Sequence, residues 1–190
     1  MILAALTEKK ELIRFTVLVL LAVAIGGYLL YLERRRPQKK ADKLPPLTPA
    51  RLAAAADSEV VDLVAADILS RQDEKNPQPY LTVPALGEAR CTVYCIWLYD
   101  RTLQEDGAAA LVRSPTAQFA ELAQEAYRSV GASGCADAVA AVFAAADAAG
   151  RKQAEENYRL AAEKEAPLSA CAEYIHSQPA LFCDGAETDA

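Results

Sequence analysis

Residues 114–131, SPTAQFAELAQEAYRSVG, decide the fold class. Phe119, Leu122, Ala123, Ala126, Tyr127 and Val130 recur at i, i+3, i+4, i+7, i+8 and i+11, which is one apolar stripe on a helix. Ser114 is placed to accept from a free N–H of the first turn, Pro115 loses nothing at the first helical position, and Gly131 supplies a left-handed stop.

The same grammar extends in both directions. Downstream, Ser133 is expected to cap a helix running to Gly150 with Cys135, Val139, Val142, Phe143 and Ala146 on its inner side. The alanines around them permit close helix approach. Arg151 to Lys164 is charged and strongly helix-forming, Leu168 to Ser177 is the last helix before Pro179, and residues 184–190 form a flexible tail. Upstream, the spacing predicts a helix from Pro84 to Gln104 with Leu86, Ala89, Val93, Ile96 and Trp97 facing inward. Trp97, the single tryptophan, is read there as a core filler. Glu105, Asp106 and Gly107 break that helix, and a short alanine-leucine turn leads to Arg113. Val60, Leu63, Val64, Ile68 and Leu69 predict an earlier helix capped by Asp57 or Ser58 and ended by Asn76, Pro77 and Pro79. Thr48 and Pro49 open a short helix through the alanine run. No stretch shows sustained strand-like alternation, so the expected class is all-α, in one helical domain over residues 48–183.

A different chemistry rules the beginning of the chain. FTVLVLLAVAIGGYLLYL, residues 15–32, contains no charge and as a helix would extend about 27 Å against a hydrocarbon core of about 30 Å. A buried helix of a water-soluble domain would carry a polar stripe. A cleavable signal would be shorter and end at small residues, whereas this run ends YLLYLERRR. It is read as an uncleaved transmembrane anchor, with Tyr28 and Tyr31 in the headgroup layer. Lys9, Lys10 and Arg14 precede it, while Arg34, Arg35, Arg36, Lys39, Lys40 and Lys43 follow it. The greater positive charge on the C-terminal side places residues 1–14 outside the cytoplasm and the helical domain inside. The same flanking cations attract anionic lipid, so the bilayer is itself an expected partner. Residues 33–47, ERRRPQKKADKLPPL, read as a basic, proline-rich linker.

Residues 44–190 carry 11 bases against 22 acids, a formal charge of −11. Direct nucleic-acid binding is disfavoured because phosphates need a cationic surface. The five cysteines, Cys91, Cys95, Cys135, Cys171 and Cys183, lack paired CxxC spacing. They fit neither a disulfide frame nor a zinc site, although an inverted topology would make them disulfide candidates. Cys91 and Cys95, four apart, share a helix face and are read as small buried residues rather than metal ligands.

No HExxH, GxSxG, P-loop or GxGxxG motif occurs. His176, the only histidine, is read as an exposed residue near a helix C-terminus. The neighbouring acids Glu105 with Asp106 and Glu155 with Glu156 diverge on a helix and are read as solvated. No catalytic, cofactor or metal residue is assigned.

ALGEARCTVYCIWLYDRTLQEDG, then a loop, QEAYRSVGA and an alanine-rich helix give an order of pieces that resembles the DNA-mimic-protein C-terminal-like family. Val130, Gly131 and Ala132 match its I-G-A signature, and the resemblance spans about residues 50–165. Over the family's E-V-N-N-G-G-F stretch, this chain has Thr102 to Ala108 and keeps only Gly107, so roles of the missing asparagines and phenylalanine do not transfer. The resemblance implies the helical fold and, with the acidic balance, an ability to imitate nucleic-acid charge. The expected function is a membrane-anchored, non-enzymatic interaction module that binds another protein. The alternative is an acidic decoy or immunity-type inhibitor that covers a basic surface. Gln104, Glu105, Asp106 and Gly107 are the candidate interaction loop.

Overall fold

Thr48 does what its position predicts: its side chain accepts from the Arg51 N–H at 3.2 Å and starts α1, Pro49–Ala54, with proline in the first turn. This is a computed structural model describing residues 45–72 and 78–184. The chain divides into two units, Met1–Asp42 and Lys43–Ala190, and the described residues belong to the second. The proposed span at 15–32, the cations Arg34, Arg35, Arg36, Lys39, Lys40 and Lys43, and Asn76 and Pro77 lie outside the described residues. Among the described residues no helix is long and apolar enough to cross a membrane.

The described residues contain helices and no strand. After α1 come α2 (Asp57–Ser70), α3 (Pro79–Ala85), α4 (Glu88–Glu105) and α5 (Ala108–Arg113). A 3-10 turn, Pro115–Phe119, leads into α6 (Ala120–Ser129), followed by α7 (Ser133–Ala144), α8 (Ala148–Glu165) and α9 (Pro167–Ser177). A second 3-10 turn, Pro179–Phe182, closes the described chain.

The bundle is built around α4, which touches α2, α3, α5, α6, α8 and α9. Val93, Cys95, Ile96, Tyr99 and Leu103 on α4 are fully buried, because a helix surrounded on most sides must be apolar around most of its circumference. They meet Val64 and Ile68 of α2, Tyr127 of α6, Tyr158 of α8 and Ile175 of α9 in one core. Leu47, at the end of the sequence-assigned linker, is also buried in that core.

Several local expectations are corrected. The helix expected from Pro84 to Gln104 is two helices: Gly87 takes φ +100°, a left-handed conformation that interrupts α3 and opens α4, and Leu86 is only half-buried. Pro79 starts α3 rather than ending α2, whose last residue is Ser70. Neither Asp57 nor Ser58 caps α2. Ala56 holds that position, its carbonyl accepting from Glu59 and Val60, while the Asp57 carboxylate lies 3.1 Å from His176 Nε2. His176 is therefore half-buried rather than simply exposed.

Ser114 caps as expected, accepting from the Thr116 N–H at 3.2 Å, but what it opens is the 3-10 turn. Leu122 of the apolar stripe is 37% exposed. Gly131 adopts φ +84° and ends α6 as foreseen. Ser133 is not the cap of α7. Its role falls to Glu165, from the far end of α8, whose two oxygens accept from the Gly134 and Cys135 N–H groups at 2.9 Å each. Helix α7 stops at Ala144 because Asp147 caps α8, accepting from the Gly150 N–H at 2.7 Å. Ala146 is consequently exposed, and α8 begins before Arg151.

The end of the described chain is held by charge. Arg71 pairs with Asp67 (2.9 Å) and Asp184 (2.7 Å), and buried Arg90 donates to the Phe182 carbonyl at 2.8 Å and to Asp184 at 3.1 Å. The Arg71 hydrogen bond holds the Asp184 carboxyl below its usual range.

Candidate functional site

The four residues of the candidate loop do not act as one loop. Gln104 and Glu105 complete the last turn of α4, Asp106 is its exposed C-cap, and Gly107 turns at φ +81° into α5. Glu105 pairs with Arg101 one turn earlier at 3.1 Å. Gly107 meets Glu155, whose Oε2 accepts from the Ala108 N–H at 2.8 Å and stands 2.8 Å from where a Cβ at Gly107 would be. Gln104 borders a cavity.

That cavity, about 400 Å³, is an open groove between α4, α8 and the start of α9. Asp100 and Gln104 come from α4, Arg159 and Glu163 from α8, and Pro167 and Leu168 from α9. Ala166 makes the corner between α8 and α9 at φ +44°, a left-handed turn costing about 1–2 kcal/mol for a residue with a Cβ. Proline at the next position then restarts the helix.

Asp100 forms the floor and is only 4% exposed. Its Oδ1 accepts from the Tyr158 hydroxyl at 2.7 Å, and Gln104 Nε2 stands 2.9 Å from both carboxylate oxygens. Since Tyr158 spends its proton on Asp100, the Tyr127 hydroxyl, 2.7 Å away, donates to Tyr158. The result is a buried line, Tyr127 to Tyr158 to Asp100, joining α6, α8 and α4. Burial raises the Tyr127 and Tyr158 hydroxyls well above their ordinary range, so both stay protonated donors. Arg159 is turned toward its own helix, 2.8 Å from Glu155 and 3.8 Å from Glu156.

Across Leu168 and Ser169 lies a second groove of about 420 Å³, bordered by Asp57, Asp62 and Trp97. Trp97 is half-buried, packing against the core without being enclosed by it. Its Nε1 donates to Asp62 at 2.8 Å, and the Arg101 guanidinium lies 5.7 Å from the ring centroid. The open side of α4 thus presents Trp97, Arg101 and Gln104 beside carboxylates of α2 and α8.

The cysteines stand apart from both grooves. Cys91, Cys95, Cys135 and Cys171 are buried and Cys183 is half-buried, all as free thiols, with the Cys91 and Cys95 sulfurs 4.0 Å apart. Among the described residues no group of three or more His, Cys, Asp or Glu is arranged to hold a metal.

Asp100, Tyr158 and Glu163 belong to no motif of the sequence. A signal for Asp100 was present: it follows Val93 and Ile96 on the buried face of α4, where a carboxylate interrupts an apolar row.

No curated protein and no solved structure matches the chain. The DMP19-like protein family model matches residues 84–180, beginning and ending later than the resemblance in the sequence suggested, and takes in α4 through α9 with every side chain of the Asp100 groove. By that match over half its length, the chain belongs to the DMP19-like protein family.

Proposed function

We propose that this protein is a non-enzymatic acidic module whose helical domain covers a basic, nucleic-acid-binding surface on another protein, acting as a stand-in for nucleic acid. The observation that carries the reading is the open side of α4, where Asp62, Asp100 and Glu163 have no Lys, Arg or His nitrogen within 4.0 Å among the described residues. The formal charge of −11 over residues 44–190 and the DNA-mimic character of the family support the same direction. Such a surface attracts a cationic partner and is screened by salt. The test is affinity capture by the full-length protein at low and high salt. A basic protein retained at low salt, lost at high salt and displaced by duplex DNA supports the reading; retention unchanged by salt and DNA defeats it.

Residues 15–32 would tether this module to a membrane, and the cations from Arg34 to Lys43 would keep the domain on the cytoplasmic side. Four native thiols are buried, so the topology is tested with Ser58→Cys, at an exposed position, and a membrane-impermeant thiol reagent on intact cells. Labelling only after lysis supports the arrangement, whereas labelling without lysis reverses it.

A further inference from the structure

We infer that the groove over Asp100 is a socket for one arginine side chain of the partner. The inference rests on the proposed function for the partner's character, but on the groove itself for the chemistry. A carboxylate that is 4% exposed has given up nearly all of its hydration, and its donors among the described residues are neutral, Tyr158 and Gln104. Such a group is stabilised by a cation that can reach it with good hydrogen-bond geometry. Gln104 is exposed, and its amide nitrogen sits equidistant from both carboxylate oxygens, 2.9 Å from each. That is the side of Asp100 on which a guanidinium would engage both oxygens, exchanging one neutral donor for two charged ones.

The walls fit the rest of the side chain. Glu163 adds a second carboxylate at the rim, while Arg159 is occupied by Glu155 and Glu156. Pro167 and Leu168, the latter 38% exposed, offer apolar surface to an alkyl stem. A volume of about 400 Å³ accommodates one long side chain, not a strand. Lysine carries the charge without the fork and holds its water more tightly, so it enters less well.

The probe is a blocked Gly-Arg-Gly peptide, with Gly-Lys-Gly and Gly-citrulline-Gly as controls, added to full-length protein in neutral detergent with glutamine side chains nitrogen-labelled. The arginine peptide is expected to shift the Gln104 side-chain amide resonance, the lysine peptide to do so more weakly, and the isosteric uncharged citrulline peptide not at all. Asp100→Asn should weaken the arginine peptide by about tenfold or more. Glu163→Lys, at an exposed rim position that leaves the core untouched, should weaken it by a similar factor. Equal shifts from arginine and citrulline, or undiminished binding by Glu163→Lys, would overturn the socket. If those failures accompany salt-sensitive capture of a basic protein, the proposed function stands without this pocket. If the peptides behave as expected but no basic protein is captured, the pocket stands and the proposed function falls.

Discussion

Replacing Tyr158 with phenylalanine removes one oxygen atom from the middle of the buried line that joins three helices. The hydroxyl donates to the Asp100 carboxylate at 2.7 Å and accepts from Tyr127 at 2.7 Å, so two hydrogen bonds are lost. A bond to a charged group contributes about 1.5–3 kcal/mol and a neutral one about 1 kcal/mol. Asp100 keeps Gln104, and the Tyr127 hydroxyl can fall back on the Ile96 carbonyl, 3.4 Å away, which limits the loss. The expected cost is about 2–3 kcal/mol. Tyr127→Phe alone should cost about 1 kcal/mol, because it removes only the neutral bond. In the double variant that bond is already gone, so the two costs should fall short of adding by about 1 kcal/mol. The assay is equilibrium urea unfolding followed by helix circular dichroism and by the fluorescence of the single tryptophan, Trp97, from which the cycle is completed. A Tyr158→Phe loss below about 0.5 kcal/mol, or strictly additive costs, would show that the line is not a coupled network.

Alkaline conditions should destabilise the domain. Burial pushes the Cys135 and Cys171 thiols up to about 12 from an ordinary 9.0, so the folded state holds protons that the unfolded chain releases. Their contribution is intact below pH 9 and is lost as pH rises toward 12, with the raised tyrosines extending the loss further; a pH series of urea midpoints checks this. At the acid side, burial works against ionised Glu165, but the Cys135 and Gly134 N–H groups outweigh it and hold its carboxyl below the usual range. That cap therefore stabilises above the ordinary carboxylate range and is lost as pH falls through the lowered value, and Glu165→Gln should flatten the acid limb of the same series. Gly107→Ala combines a left-handed φ of +81° with a Cβ 2.8 Å from Glu155 Oε2, so a loss of about 1–2 kcal/mol is expected in thermal unfolding. Ala166→Gly, at φ +44°, relieves the corresponding strain and should raise stability by about 0.5–1 kcal/mol.

What could be read from the chain is what repeats locally. The stripe from Phe119 to Val130, the Thr48 cap and the Gly131 stop are each fixed by a few neighbouring residues, and each is found in place apart from exposed Leu122. What could not be read depends on residues far apart. Ser133 has the right chemistry for a cap, yet Glu165 brings two oxygens to the Gly134 and Cys135 N–H groups, 31 and 30 residues before it, and satisfies both. The break at Gly87 was hidden by apolar residues on both sides of it, whose spacing continues almost in register across the interruption. The groove was less legible still: Tyr158 lies 58 residues from Asp100, inside a helix whose charged composition gives no sign of a buried ring. The loop singled out as a candidate site included one residue of the groove, Gln104, and missed the carboxylate beneath it.

The placement of Asp100 links the surface to the core. A carboxylate serving only to hold α4 against α8 could have been covered completely, as Tyr99 is, whereas this one borders an open groove. A carboxylate serving only to attract a partner could have stood in water, as Asp106 does, where its field is screened and its position is unconstrained. Held by Tyr158, it keeps a fixed position at the groove floor, so a cation that binds there meets an acceptor already in place and orders little else on arrival. The stability of the α4, α6 and α8 packing and the affinity of the groove should then move together. Tyr158→Phe, which leaves every groove-lining residue in the sequence unchanged, should weaken the arginine peptide as well as the fold; unchanged affinity in a folded Tyr158→Phe protein would separate the two roles.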